Sequence, residues 1–205
     1  MTPFNRTFNL LKNQWAIIGF IVLVVLTYCY LDKPVAIYFH QLDLRKNLKI
    51  LLLLTTLGRW EIYVALFFMA ALYFRYMKKN SIYERNSWYL LACLLLANIL
   101  NLVLKIGLSR ARPDLLFASN LFGFYWFKLN EYYWSFPSGH AVTITALASA
   151  LGVLIPRYFF VFLGVAVLVA LSRVLLYHHY LSDVMTGAYL GLLTVGFFTQ
   201  YMKKQ

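Results

Sequence analysis

Acidic residues are scarce in this chain: seven Asp and Glu stand against nineteen Lys and Arg over 205 residues, a formal net charge of +12. Charge of either sign is sparse, at 13% of residues, while 62% are hydrophobic and mean hydropathy is +0.67. A soluble domain carries about a quarter charged and about half apolar residues. That composition excludes a separate soluble domain and makes the chain an integral membrane protein. Cysteine is nearly missing. Cys29 and Cys93 lie inside apolar runs without metal-ligand spacing, so both read as buried thiols acting as small apolar residues. Internal repeats and low-complexity segments are absent. The first apolar run lacks a small-residue cleavage site and reads as a retained helix rather than a signal peptide.

Apolar runs at about 15–31, 60–77, 87–106, 140–155, 158–176 and 183–202 predict an all-α polytopic bundle of six transmembrane helices, one membrane-embedded domain over 1–205. Residues 1–13 read as a polar end. Residues 32–60 mix polar and apolar positions and predict an interfacial amphipathic helix on the membrane, with a break at Gly58 before the second span. The alternative for 50–58, a charge-free stretch, is a longer second span. Arg75, Lys78, Lys79 and Arg85 read as a basic loop. Six spans place both termini on one side. The Lys and Arg numbers on the two sides are nearly equal, but those on the terminal side are packed into short loops, which puts the termini in the cytoplasm. The cations fall at the ends of apolar runs, as topology determinants and anionic headgroup contacts do. That distribution argues against a nucleic-acid partner, whose binder gathers cations on a soluble face.

With this topology three polar blocks share one membrane face. Lys105 to Pro113 follows the third span and contains Arg110 and Arg112. Pro137-Ser138-Gly139-His140 opens the fourth. Ser172-Arg173, His179 and Asp183 lie between the fifth and sixth. Ionisable residues at a bilayer edge are functional candidates by default. Of these cations Lys105, Arg112 and Arg173, the last two guanidiniums suited to bidentate oxyanion contact, can neutralise a phosphate. Ser138 offers a hydroxyl, and Gly139 lets a backbone amide approach closely. His179 and Asp183, four apart, would share a helix face. Singly, each residue has a bland reading as a snorkelling anchor, a turn or a helix cap; the bland readings do not explain the shared face. His178 lies about 100° around a helix from His179 and reads as bystander. Arg110 is either a headgroup contact or a loop anchor, and His40 reads as interfacial. Asn98 and Asn101 read as interhelical hydrogen bonders. The aromatic-dense stretch from Phe117 to Trp134 suits a membrane interface.

These blocks resemble the three-part signature of the type-2 phosphatidic acid phosphatase superfamily, which includes the vanadium haloperoxidases: K-x6-R-P, P-S-G-H and S-R-x5-H-x3-D. Every fixed letter is present, in order and at the right internal spacing. The resemblance implies a membrane lipid phosphatase with His179 as nucleophile, Asp183 orienting it and His140 as acid and base. Lys105, Arg112, Ser138, Gly139 and Arg173 would then hold the phosphate. No cluster of carboxylates or imidazoles with metal-ligand spacing stands beside these residues, so catalysis without a metal or other cofactor is expected. The expected partner is a phosphorylated membrane lipid, and the compact length resembles bacterial members, with the topology above placing the site outside the cytoplasm of an inner membrane. Candidate substrates are undecaprenyl pyrophosphate, phosphatidylglycerophosphate, phosphatidic acid and lipid A phosphate. A lipid phosphotransferase using the same site, and a non-catalytic binder or transporter of anionic lipid, are the alternatives. Oligomeric state is left open.

Overall fold

The structure is a computed structural model and describes residues 1–47 and 49–204. The N-terminal residues form a helix rather than a polar tail. Helix α1 (Pro3–Leu11) starts at Thr2, whose hydroxyl accepts from the Asn5 amide. Phe4 and Phe8, four apart, put one face of α1 into the core, where both are about 1% exposed. Polar content hides this helix, which shows only in the four-residue spacing of Phe4 and Phe8. Helix α2 (Gln14–Tyr30) follows at a 72° bend, capped by the Asn13 side chain. Its Ile18, Ile21, Val22, Val25 and Leu26 are exposed, an apolar surface suited to lipid. Cys29, expected to be buried, is exposed there, and Cys93 is buried.

Residues 32–60 are broken into more pieces than the one interfacial helix expected. They form α3 (Asp32–Gln41), α4 (Leu44–Asn47) and α5 (Lys49–Thr56), with residue 48 outside the described residues. Helix α5 meets the length and composition of a membrane span together with α6 (Trp60–Tyr76), across a 41° bend. Counted as one span, this bent pair is the longer second segment, beginning near Lys49, with Gly58 in the break between its two helices.

Helix α7 (Ser81–Leu108) is also longer than expected: Asn80 caps it, and the basic residue Arg85 lies inside its first turns. Helix α8 (Pro113–Ser119) is short. Helix α9 (Gly139–Leu154) is the centre of the bundle, packed by α7, α10 (Phe159–Leu175) and α11 (Leu181–Met202). It can be central because it is built of small residues and most of it is buried. Helix α11 closes on it through Gly187 and Gly191, where a Cβ would fall 2.6 Å from the carbonyls of Ser138 and Val142. Among the described residues, α7, 156–175 and α11 are long and apolar enough to cross a membrane, and the two bent pairs raise that number to five. The other expected span, 140–155, coincides with α9, which is shorter. The result is an all-α membrane bundle.

Candidate active site

Four backbone segments meet at one end of the bundle. Helix α7 ends at Ser109 in the left-handed region (φ 46°) and turns the chain across its own end. The following loop is tied to itself by backbone hydrogen bonds: Ala111 to Gly123 (3.0 Å), Arg112 to Tyr132 (2.9 Å) and Ser135 to Arg110 (3.0 Å). Those ties hold Arg110, Arg112 and Ser135 beside the last turn of α7. The Ser138 amide then donates to the Asp183 carbonyl (3.0 Å), joining the start of α9 to α11.

A cavity of about 500 Å³ opens there, with Lys105, Arg112, Gly139, His140, Arg173 and His179 in its walls. Each of these cations is held by a protein oxygen. Lys105 donates to the Trp134 carbonyl, Arg112 Nε to the Glu131 carbonyl (2.9 Å) and an Arg173 terminal nitrogen to Thr55 Oγ1 (2.7 Å). Arg173 Nε is buried without a partner among the described residues. Arg59 and Glu61 also line the cavity and face each other at 3.9 Å. Ser138 is placed differently from the other expected phosphate ligands. It is fully buried, outside these walls, and its hydroxyl has no partner among the described residues.

His179 does not lie on a helix face with Asp183, because α11 begins only at Leu181. Its Nδ1 is 3.6 Å from Asp183 Oδ2, beyond hydrogen-bond range, and instead donates to the Ser135 carbonyl at 2.8 Å. Asp183 is occupied elsewhere. It accepts from Ser135 Oγ (2.6 Å) and from the Tyr180 amide (2.9 Å), and pairs with Arg110. Asp183 therefore reaches His179 through Ser135 rather than directly.

Arg110 is the largest fully buried side chain. It bridges Asp183 and Asp32, the latter at 2.8 Å, and Asp32 also takes the hydroxyl and amide of Ser182. The rings of Tyr28, Phe122, Phe124 and Tyr180 surround its guanidinium at 4.2 to 5.6 Å. Part of the aromatic loop is thus a cage for one arginine, whereas Trp126 and Phe127 are exposed. His178 accepts from Arg45 (3.2 Å), which also pairs with Asp114 (2.8 Å). His40 stacks on Phe117, with 3.8 Å between ring centres.

Sequence reasoning missed Asp32, Ser135, Thr55 and Arg45. The one available signal was Asp32 itself, an acid at the end of an apolar run in a chain with few acids. Gly58 was found as a break but not for its contact: a Cβ there would lie 2.6 Å from His140 Cδ2.

Burial, then the charges of Arg112, Lys105 and Arg173, hold the His179 imidazole well below its ordinary pKa. Its ring is neutral at pH 7. Since Nδ1 carries the proton given to Ser135, Nε2 keeps its lone pair. Burial and Arg173 push His178 down to about 3. Burial also lowers Arg112. On Arg110 burial acts the same way, but Asp183 and Asp32 outweigh it and raise the pKa.

The helical membrane bundle thus gathers three cations and two imidazoles around one cavity at one end. The chain belongs to the PAP2 superfamily, whose family profile matches residues 86–205. It is 34% identical over 158 residues to the lipid A 1-phosphatase of Rhizobium johnstonii, an alignment covering 69% of this chain and 64% of that one. To the phosphatidylglycerophosphatase B of Bacillus subtilis it is 33% identical over 125 residues, 54% of this chain and 57% of that one. The chain thus spans less than two thirds of the length of these relatives. The fold matches the crystal structure of a transmembrane PAP2-type phosphatidylglycerolphosphate phosphatase from Bacillus subtilis. The TM-score is 0.59 at 20% identity, over 92% of this chain and 94% of the other.

Proposed function

We propose that the chain is a membrane lipid phosphate phosphatase working through a phosphohistidine, with its site on the periplasmic face of a bacterial inner membrane. The observation that carries this is the convergence of Lys105, Arg112, Arg173, His140 and His179 on one cavity, with Nε2 of His179 as the bare nitrogen. The cradle cations take the non-bridging oxygens and stabilise the charge of a five-coordinate phosphorus. Nε2 of His179 forms a bond to phosphorus as the bond to the lipid oxygen breaks, and His140 delivers a proton to that oxygen. His140 then takes a proton from water, whose oxygen attacks phosphorus. The N–P bond breaks and phosphate leaves, with His179 neutral again. Family membership supports this chemistry, and so do the relatives named for lipid phosphatases.

The test is phosphate release by the purified protein in detergent micelles. The panel holds phosphatidic acid, phosphatidylglycerophosphate, a lipid A phosphate and undecaprenyl pyrophosphate. Release from at least one lipid, lost in His179→Ala, is expected; no release from any overturns the proposal.

A further inference from the structure

Below the cradle, α7 carries polar groups that the hydrolysis does not use. Asn101 and Asn98 stand one and two turns before Lys105 on the same helix face, and all three line the cavity. At 1.5 Å per residue they lie about 6 and about 10 Å along the axis towards the bilayer centre. A carboxamide at that depth is costly unless it is hydrogen-bonded. Asn98 is bonded: its Nδ2 donates to the Leu94 carbonyl and its Oδ1 accepts from Thr143 Oγ1, both at 3.0 Å. Asn101 is 5% exposed, and its Oδ1 has no partner among the described residues. The neighbour across from it is Gly139, where a Cβ would stand 3.4 Å from Asn101 Nδ2. The carboxamide therefore rests against the first turn of α9, beside His140. In the proposed reaction that is the side from which the lipid alcohol departs.

We propose that Asn101 is a subsite for a hydrogen-bond donor, a hydroxyl or amide N–H, carried by the lipid alcohol within a few bonds of its phosphate. This rests on the lipid phosphatase reading and narrows its substrate class to phosphate esters of hydroxylated or amide-bearing lipids. Diacylglycerol and polyprenyl phosphates have no donor at that place. The last side-chain torsion of Asn is soft, so Oδ1 turns into the cavity when a donor arrives. A buried acceptor without a partner is a standing cost that the matching substrate removes and a donor-free one does not.

Ceramide 1-phosphate and phosphatidic acid with matched chains make the test pair. Both are two-chain phosphate monoesters of a primary alcohol, and only the first has an N–H and an O–H beside the phosphate. In the same micelles the wild-type protein is expected to favour the ceramide ester by about tenfold in kcat/KM, the value of one neutral hydrogen bond. Asn101→Leu should bring that ratio to about one. The ratio is taken within one preparation, so a loss of folded protein does not mimic the effect. A wild-type preference for phosphatidic acid, or none, overturns the subsite whatever the variant does. So does a ratio that survives Asn101→Leu while both rates fall together, which would make Asn101 a water-positioning or packing group. Failure of the wild type to release phosphate from any lipid overturns the phosphatase reading itself, a distinct result from a flat ratio.

Discussion

Arg110→Met is the substitution that probes the buried ion network most directly. Arg110, Asp32 and Asp183 are all fully buried, and the arginine is the cation placed between the two acids. Met keeps most of the volume and removes the charge. What remains is a pair of buried carboxylates, and breaking a buried pair by removing one partner costs about 3–5 kcal/mol. Burial already pushes the Asp32 carboxyl above its ordinary range, and Arg110 pulls it back. Without Arg110 the Asp32 pKa rises further. A carboxyl whose folded pKa exceeds its unfolded value contributes stability that is full below the unfolded value and is lost as pH rises through the folded one. The variant should therefore lose more stability at pH 8 than at pH 5. Asp183 also holds Ser135, whose carbonyl fixes His179. A shift of about 1 Å in the nucleophile costs about a hundredfold in turnover. Equilibrium unfolding in mixed micelles at the two pH values, with phosphate release at pH 7, measures both effects. A variant of wild-type stability, or one destabilised more at pH 5, would refute the reasoning.

Four other outcomes are expected. His179→Ala abolishes phosphate release and His140→Ala lowers it by about 10²–10⁴-fold, whereas His178→Ala, whose partner is Arg45, stays within about twofold. Gly58→Ala places a Cβ 2.6 Å from His140 Cδ2, so kcat should fall while circular dichroism still shows a helical protein; full activity would mean the α5–α6 bend is not seated on His140. Thr55→Val removes the oxygen that holds Arg173 and should lower kcat/KM by about tenfold, with an unchanged value excluding that role. With Cys29 and Cys93 changed to Ala, a cysteine at Ser119 should be labelled from outside intact cells by an impermeant thiol reagent, and one at Ser81 only after permeabilisation. The reverse labelling would turn the site to the cytoplasm.

The membrane class was legible in composition, since a chain with so few charges has nowhere but lipid to place its apolar surface. That Lys105, Arg112, His140, Arg173 and His179 share one end of the bundle was legible as well, because each sits at the end of an apolar run, and ionisable groups there stand out against a silent background. The Gly58 break was visible for the same reason that it is local. The extent of the helices was less so. Apolar runs mark where lipid begins, whereas α7 starts at a cap, Asn80, and carries Arg85 within its length.

What only the tertiary structure decided concerns partners. Spacing placed His179 and Asp183 on one helix, but the helix starts after His179, and the imidazole proton goes to the Ser135 carbonyl. Backbone oxygens carry no sequence signature, so no pattern could point to Ser135 or to the Trp134 and Glu131 carbonyls that hold Lys105 and Arg112. Asp32 and Arg110 are 78 residues apart and meet because the end of the first membrane segment comes alongside the loop after α7. Sequence periodicity reports which face of an element is apolar. It does not report which two elements meet, and a buried charge is stabilised by whatever the fold brings within about 3 Å of it.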